Sequence, residues 1–423
     1  MSSFLKTFAL TCLFSAAVAP PVEAKIHSGV AQIYSGSSAE YTCALLADEK
    51  LTCWGSNNWD APANFTFQEF PKLPSSAILT ISAGYGFACQ LRADSTVWCW
   101  GNNEYGELGA SLPTGSYPTP AQVKIDALTP LNATAISAGS IHACAVRNDA
   151  TVWCWGANSR GQLGDYRDSL SYVTASPQEV FVHLSGPRVL APIQSVAAGG
   201  FQTCALFQPD SQGSTGACWG DNQYGELGTG IITPYENSPV TIFAGTVALH
   251  MSPYSIGAGT DHTCAMIPNG TLGCWGNNSR GANSTKVSGS SPSPSTVYNG
   301  SVPLTTAETI SVGGSFTCAL LNNATAACWG ANSFGQIGHY RLARADAFAP
   351  YPVLNAGGSA LNSIETLVTG ASHACALTTD HKVRCWGNNA RGQLGQDMFV
   401  PDTDYPTEVP LDAPIFTDNF QPD

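Results

Sequence analysis

Short apolar runs alternate with polar, glycine-rich turns along most of this chain. A run that carries Ile, Val or Leu, such as Ala135-Ile136-Ser137-Ala138, precedes a second apolar run that begins at a cysteine, such as Cys318-Ala319-Leu320. A polar turn, for example Asn322-Asn323-Ala324, then leads into a strand that ends in Cys-Trp-Gly. Short apolar segments bounded by turn residues predict β-strands, and the two strands around each polar turn predict a hairpin.

This hairpin recurs seven times at intervals of 46 to 60 residues, which is enough chain for one four-stranded blade and its loops. We therefore predict one all-β domain over residues 25–423, a seven-bladed β-propeller of antiparallel four-stranded blades. In six repeats a glycine stands five residues before the first cysteine, and we expect it to allow a tight turn with positive φ. These glycines are Gly84, Gly139, Gly199, Gly259, Gly313 and Gly370.

Each repeat contains two cysteines, ten residues apart in six repeats and fourteen apart in the fourth. Residues i and i+10 face each other in a hairpin with a short loop, at a Cα separation that a disulfide accepts. The fourth repeat lengthens only the hairpin tip, Gln208–Thr215, which leaves this pairing intact. We predict disulfides Cys43–Cys53, Cys89–Cys99, Cys144–Cys154, Cys204–Cys218, Cys264–Cys274, Cys318–Cys328 and Cys375–Cys385.

Metal binding is a weaker interpretation of these cysteines. The chain has no C-x-x-C motif, and no pair is accompanied by a fixed second pair of ligands. His142, His262 and His373 each lie two residues before a cysteine, but other repeats have Tyr, Phe or Gln at that position. We expect structural histidines and no metal or cofactor.

After each hairpin the chain reads Trp-Gly-x-Asn, and five repeats continue with an aromatic residue or Arg, then Gly, Glu or Gln, Leu or Ile, and Gly. One large aromatic residue at a fixed position of every repeat is expected to fill space between blades. The asparagine is expected to bond nearby backbone and shape the following turn. Tyr105, Tyr224 and Phe334 occupy one equivalent loop position. Packing is the favoured interpretation for these three residues, and glycan stacking is the alternative.

The C-terminal end carries an extra copy of a proline-containing strand. Such a strand precedes the Ile/Val/Leu strand in repeats two to seven, as at Tyr117–Val123, but not in the first repeat. The additional copy is Tyr405–Leu411. We expect this C-terminal strand to pair with the first repeat, which would close the ring and remove two open sheet edges.

The first 24 residues have the features of a signal peptide. Lys6 precedes the apolar run Phe8–Ala19, and Val22-Glu23-Ala24 offers a cleavage site after Ala24. The 14 cysteines that remain after cleavage are even in number, as complete pairing in an oxidising compartment requires. We predict a secreted glycoprotein with no membrane span and with N-glycosylation sequons at Asn64, Asn132, Asn269, Asn277, Asn283, Asn299 and Asn323.

The net charge of −13 argues against nucleic acid or anionic membrane as a partner, since both would be repelled. The sequence shows no nucleophile motif, no metal triad and no pair of carboxylates fixed across repeats. We therefore predict no enzymatic activity, and an extracellular hydrolase is the least favoured alternative.

These repeats resemble those of the regulator of chromosome condensation family. The seventh repeat reads Gly370-Ala371-Ser372-His373-Ala374-Cys375-Ala376-Leu377, then Trp386-Gly387-Asn388-Asn389-Ala390-Arg391-Gly392-Gln393-Leu394-Gly395. The resemblance implies a seven-bladed propeller, and the paired cysteines suit a secreted branch of the family. The chain is also similar to a secreted propeller-type β-lactamase-inhibitor protein. Family members that bind proteins imply the same for this chain, whereas the small GTPase and chromatin bound by the nuclear member do not suit an exported acidic protein.

The sequence thus favours an extracellular, non-enzymatic scaffold that binds a protein through one loop-rich face, with a glycan-binding lectin as the alternative. The non-repeating, turn-rich segments that would form this face are Ala110–Ala121, Tyr166–Ser176, Gly281–Tyr298 and Arg341–Pro350.

Overall fold

The computed structural model describes most of the propeller. It covers residues 29–56, 68–70, 77–166, 173–180, 192–209, 214–244, 247–249, 251, 256–267, 270–284, 289–396 and 400–411. The predicted signal peptide and the sequons at Asn64 and Asn269 lie outside these residues. Within the described ranges, no helix is long and apolar enough to cross a membrane.

Seven four-stranded antiparallel sheets form the blades, each from a continuous stretch of chain. The first four blades contain β1 (Val30–Tyr34), β2 (Tyr41–Leu46), β3 (Leu51–Gly55) and β4 (Gln68–Phe70); β5 (Ile78–Ala83), β6 (Phe87–Arg92), β7 (Val97–Asn102) and β8 (Ser116–Gln122); β9 (Ala133–Ala138), β10 (His142–Arg147), β11 (Val152–Ala157) and β12 (Val173–Val180); and β13 (Ile193–Ala198), β14 (Gln202–Phe207), β15 (Gly216–Asp221) and β16 (Tyr235–Thr241).

A two-stranded hairpin, β17 (Phe243–Ala244) and β18 (Val247–Ala248), connects the fourth blade to the fifth. The remaining strands are β19 (Ile256–Ala258), β20 (His262–Met266), β21 (Leu272–Asn277) and β22 (Ser290–Thr296); a second small hairpin, β23 (Tyr298–Asn299) and β24 (Val302–Pro303); β25 (Ala307–Val312), β26 (Phe316–Leu321), β27 (Ala326–Gly330) and β28 (Ala347–Pro352); and β29 (Ile364–Thr369), β30 (His373–Thr378), β31 (Val383–Gly387) and β32 (Thr403–Glu408). A single 3-10 turn, Tyr340–Leu342, precedes β28.

The antiparallel order gives the ring two different faces. Connections from the first to the second strand and from the third to the fourth strand leave the blades on one side, which we term the loop face. Connections from the second to the third strand, and from one blade to the next, leave on the opposite side, which we term the hairpin face. In the second blade, residues 84–86 and 103–115 therefore lie on the loop face, and residues 93–96 and 123–132 lie on the hairpin face.

The two cysteines of every repeat lie opposite each other on the second and third strands, as predicted. Their Cα atoms are 4.0–4.1 Å apart, and the lengthened fourth repeat keeps the same register at Cys204 and Cys218. The geometry is that of seven disulfides, each confined to one hairpin.

The tryptophan that recurs in each repeat fills the space between blades, as expected, and all seven are buried. In blade three, Trp155 Nε1 donates a hydrogen bond to the carbonyl oxygen of Glu107 in blade two, at 2.7 Å. The same bond joins Trp219 to Gln162 at 2.9 Å. Six of the seven indoles therefore bury a large apolar surface and also satisfy their only polar group with backbone of the preceding blade.

The glycines before the second strands have a different role from the one expected. None of the six has a positive φ. A Cβ atom on Gly139 would lie 2.4 Å from the carbonyl oxygen of Gly199 in the next blade and 2.4 Å from Cε1 of His142. A Cβ atom on Gly199 would likewise lie 2.3 Å from the carbonyl oxygen of Gly259. Glycine is required here because neighbouring blades approach backbone to backbone, not because the turn is left-handed.

The expected closure of the ring by strand pairing is wrong. The C-terminal strand β32 pairs with β31 and completes the seventh blade, and the first blade has its own fourth strand, β4. Likewise, the proline-containing strand β8 pairs with β7 and belongs to the preceding repeat, not to the following one. Proline cannot donate to a hydrogen-bond ladder, so these strands suit the outer edge of a blade.

Contacts between blades seven and one close the ring instead. Ala371 N donates to Ala39 O at 2.8 Å, and Trp54 Nε1 donates to Gln393 O at 3.1 Å. Val409, immediately after β32, belongs to the same buried cluster as Trp54. The C-terminal segment therefore joins the two ends of the chain through packing.

We predict that Gly139→Ala lowers the free energy of unfolding by about 1–3 kcal/mol, because the added methyl group overpacks a junction between blades. Gly357→Ala is the matched control, since no atom lies within 4 Å of its Cβ position. The control should change stability by less than about 0.5 kcal/mol. Chemical denaturation of both variants measures the difference, and equal stability of the two would contradict the backbone-contact explanation.

We also predict that the cysteines are chemically linked within hairpins. Peptide mapping of the unreduced protein should recover seven linked peptides with the pairing given above, and no free thiol among those cysteines. A peptide that joins cysteines of two different blades would overturn the assignment.

Candidate binding site on the loop face

In blades two to seven, a buried asparagine holds the loop that follows the third strand. In blade two, Asn103 Oδ1 accepts a hydrogen bond from Leu108 N at 3.1 Å, while its Nδ2 donates to Pro113 O at 2.8 Å. In blade four, Asn222 Oδ1 accepts from Leu227 N at 3.1 Å. One side chain thus satisfies backbone groups on both sides of the loop, as the sequence led us to expect.

A buried Glu or Gln fixes the next part of the same loop. Glu107 Oε2 accepts a hydrogen bond from Tyr105 N at 2.7 Å, and Gln336 Oε1 accepts from Phe334 N at 3.0 Å. Burial raises the pKa of Glu107 to about 7, and the nearby Glu104 contributes in the same direction. The corresponding carboxyl of Glu226 is also raised to a pKa of about 7, mainly by burial.

In blades two, four and six, these bonds fix the backbone of one aromatic residue at an equivalent position of the loop. The side chains of Tyr105, Tyr224 and Phe334 are exposed by 43%, 41% and 39%, so the favoured interpretation of packing within the turn is wrong for them. From blade two to blade seven the residues at this position are Tyr105, Arg160, Tyr224, Arg280, Phe334 and Arg391. Aromatic and guanidinium groups therefore alternate around the loop face.

Two of the arginines reach towards the turn of the following blade. Arg280 Nη1 donates to Ser333 Oγ at 2.9 Å, next to Phe334, and lies 3.8 Å from Asp346 Oδ1. The Arg160 guanidinium faces the Gln223 amide, next to Tyr224. These contacts hold each cation against the turn that carries an exposed aromatic residue.

Large apolar side chains are exposed mainly on this face. Of the thirteen in the described residues, nine lie on the loop face, three lie in connections on the hairpin face, and Leu79 lies at the start of β5, towards the hairpin face. The nine are Tyr85, Tyr105, Tyr166, Val173, Tyr224, Ile231, Ile232, Phe334 and Val400, and the three are Leu128, Tyr298 and Val302. The sequence singled out Tyr105, Tyr224 and Phe334 and placed Tyr166 and Val173 in a predicted loop segment, but it did not indicate the exposure of the other four.

The four segments predicted to form this face begin at equivalent places, between the third and fourth strands of blades two, three, five and six. Each also runs into a fourth strand. Ala110–Ala121 includes most of β8, and Gly281–Tyr298 includes all of β22. Only the parts that precede the strands are available as loops.

The three candidate histidines are structural. His142 Nε2 lies 2.8 Å from Thr203 Oγ1 of the next blade, and His373 Nε2 lies 2.8 Å from Thr42 Oγ1 across the closing junction. Burial lowers the pKa of His142 and of His373 to about 3, so both rings are neutral at physiological pH. Among the residues that the structure covers, no three His, Cys, Asp or Glu side chains are grouped to hold a metal ion.

Comparison with known proteins agrees with this architecture. Two family models described as "Regulator of chromosome condensation (RCC1) repeat" match the chain, one at residues 78–107, 133–162, 308–336 and 364–393, the other at 94–146 and 149–206. The matched repeats of this chain belong to the RCC1-repeat family. The fold is similar to that of Prp20p from Saccharomyces cerevisiae, with a TM-score of 0.68 at 19% identity over 90% of this chain and 87% of the yeast chain.

Two curated relatives are considerably longer than the part that matches. The RCC1 domain-containing protein RUG3, mitochondrial, of Arabidopsis thaliana is 29% identical over 65% of this chain and 57% of its own length. The E3 ubiquitin-protein ligase HERC2 of Homo sapiens is 26% identical over 69% of this chain but only 6% of its own length. What this RCC1-repeat chain shares with HERC2 is therefore a small fraction of that protein.

We predict that Glu107 and Glu226 make the protein less stable as the pH rises from about 5 to 7.5. Their folded pKa of about 7 exceeds the ordinary value of 4.5, so the folded protein binds more protons in this range and loses stability as they dissociate. The loss should be about 1–3 kcal/mol for each carboxyl. Blades three, six and seven have the isosteric Gln162, Gln336 and Gln393 at this position.

The double variant Glu107→Gln/Glu226→Gln should therefore flatten the decline. Denaturation midpoints of both proteins at pH 5.5 and 7.5 provide the measurement. A variant that keeps the full pH dependence of the parent would show that these carboxyls are not its source.

Proposed function

We propose that this RCC1-repeat propeller is a secreted, non-catalytic scaffold that binds a protein partner through its loop face. The observation that carries the proposal is the concentration of exposed apolar side chains on that face, where they alternate with arginines. Protein interfaces are enriched in aromatic residues and Arg, and large exposed apolar patches are uncommon on monomers without a binding role.

Rigidity of the loop bases supports the same function. The buried Asn and the buried Glu or Gln of each repeat fix the backbone that carries Tyr105, Tyr224 and Phe334. A side chain whose backbone is already ordered loses less conformational entropy when a partner binds. Prp20p, which shares the fold, is a protein whose binding to Gsp1p and histones has been characterised, and it offers a precedent for protein binding by such a ring.

Export of the chain is supported by its cysteine geometry and its N-terminal sequence. Seven cysteine pairs lie at disulfide distance, an arrangement typical of proteins from oxidising compartments. The apolar run Phe8–Ala19 with a cleavage site after Ala24 supplies a leader.

A lectin is the second candidate, and the exposure of three aromatic rings at equivalent positions favours it. Sugar rings stack on exposed aromatic faces, and repeated shallow sites around a ring would bind a branched glycan at several points. A protein partner needs one continuous surface, whereas a lectin needs only the separate rings.

We predict that Tyr105→Ala/Tyr224→Ala/Phe334→Ala lowers partner capture at least tenfold, since aromatic anchors at an interface each contribute more than about 1 kcal/mol. The immobilised parent and variant are exposed to extracellular fluid of the source organism, and captured proteins are quantified by mass spectrometry. The matched control, Leu128→Ala/Tyr298→Ala/Val302→Ala, removes exposed apolar groups from the hairpin face and should capture as the parent does.

Both triple variants should melt within a few degrees of the parent, because the altered side chains are exposed. Equal loss of capture by the two variants would contradict docking on the loop face. Capture that free oligosaccharides abolish, or that disappears after enzymatic deglycosylation of the fluid, would favour the lectin.

A further inference from the structure

The five sequons within the described residues fall into two groups. Asn132, Asn299 and Asn323 are exposed, and in the described part of the chain their Nδ2 atoms make no hydrogen bond. The other two use Nδ2 inside the protein. Asn277 Nδ2 donates to Asp261 Oδ2 at 2.8 Å, and Asn283 Nδ2 donates to Gly276 O at 2.9 Å.

The side chain of Asn283 is buried because of its position in the repeat. It occupies the position that Leu108, Leu163 and Leu227 hold in other blades, and its side chain is fully buried. Its backbone N also donates to Asn278 Oδ1 at 2.8 Å. A glycan on Nδ2 could not be accommodated at this fully buried position beneath the loop, so a chain modified there could not complete this blade.

The two groups also lie on opposite faces of the ring. Asn132 precedes β9, Asn299 lies in the hairpin between blades five and six, and Asn323 lies in the turn between β26 and β27, all on the hairpin face. Asn277 ends β21 and Asn283 follows it, so both lie at the loop face.

We propose that N-glycans attach at Asn132, Asn299 and Asn323 and cover the hairpin face, whereas Asn277 and Asn283 stay unmodified and the described loop face stays bare. This assignment rests on the export included in the proposed function, and it deepens that function by naming the face left open to a partner. Large hydrated glycans exclude protein partners from the surface around them.

The modification is a group transfer from a polyprenyl-diphosphate-linked oligosaccharide, carried out by the transferase of the secretory pathway. The Asn Nδ2 attacks C1 of the first N-acetylglucosamine and forms the N–C1 bond. The bond from C1 to the diphosphate oxygen breaks, the polyprenyl diphosphate leaves, and the amide nitrogen loses one proton. An exposed Nδ2 without an internal partner meets this requirement in the folded as well as the unfolded chain.

The test is the occupancy of each sequon in secreted, folded protein. The full chain is produced in eukaryotic cells behind its own leader and, in parallel, behind a supplied secretion signal. Peptide-N-glycosidase F in ¹⁸O-labelled water then marks every occupied asparagine for mass spectrometry. We expect label at Asn132, Asn299 and Asn323 and none at Asn277 or Asn283. Label at either of the last two, or its absence from any of the first three, would overturn the assignment.

Variants that each destroy one sequon sharpen the result. Ser279→Ala and Thr285→Ala remove the motifs of Asn277 and Asn283 and should leave the mass of the intact glycoprotein unchanged except for the substituted atoms. Asn323→Gln should remove the mass of one glycan. Loss of a glycan from Ser279→Ala or Thr285→Ala would refute the assignment.

Failure of the proposed function can be told apart from failure of this assignment. If the chain's own leader does not direct export, the proposed secretion is wrong, yet occupancy behind the supplied signal still decides which sequons accept glycans.

Discussion

The structure depends on the direct approach of neighbouring blades near the centre of the ring. Six blades have a glycine before the second strand, from Gly84 to Gly370. A Cβ atom on any of these glycines would lie only 2.3–2.8 Å from a carbonyl oxygen of the next blade. Any side chain there would push two blades apart. The third strand lies further out, where the blades diverge, and a buried tryptophan fills the wider gap. Small residues inside and large ones outside are what wedge-shaped units in a closed ring require.

Because the junction between blades seven and one uses the same contacts as the junctions from blade two to blade seven, the ring closes without exchanging a strand between its ends. Trp54 and Gln393 repeat at blades one and seven the bond that Trp155 and Glu107 make between blades two and three. The disulfides do not contribute to this closure, since each lies inside one hairpin. They restrict the unfolded chain locally, whereas the association of blades rests on burial and on hydrogen bonds such as that between Thr42 and His373.

The sequence predicted what each blade needs for itself. Cysteines at i and i+10 identified the hairpin and its register, and Trp-Gly-x-Asn identified the junction and the anchored loop. It did not predict properties that depend on a second blade. Gly139 was assigned to a left-handed turn because the oxygen of Gly199, sixty residues away, cannot be inferred from local sequence. The proline strands were assigned to the wrong neighbour because spacing along the chain does not show on which side a strand pairs.

The candidate site was predictable only in part, for a related reason. The sequence identifies Tyr105, Tyr224 and Phe334 as equivalent. However, the sequence pattern of a recurring aromatic residue is the same whether its side chain is buried or exposed. The buried Glu or Gln two residues later accepts a hydrogen bond from their backbone N, and the structure shows their side chains exposed.

This arrangement also explains why variation is concentrated on the loop face. The turns between second and third strands are short, and the cross-strand cysteines fix the hairpins that carry them, so most of them tolerate little change in length. The loops between third and fourth strands have no such restraint beyond the buried Asn and Glu or Gln at their base. Their outer parts can therefore differ from blade to blade while the ring beneath them stays the same. A rigid base with unlike loops on one side is suited to recognising one extended partner surface, because the cost of ordering the loops has largely been met by the fold.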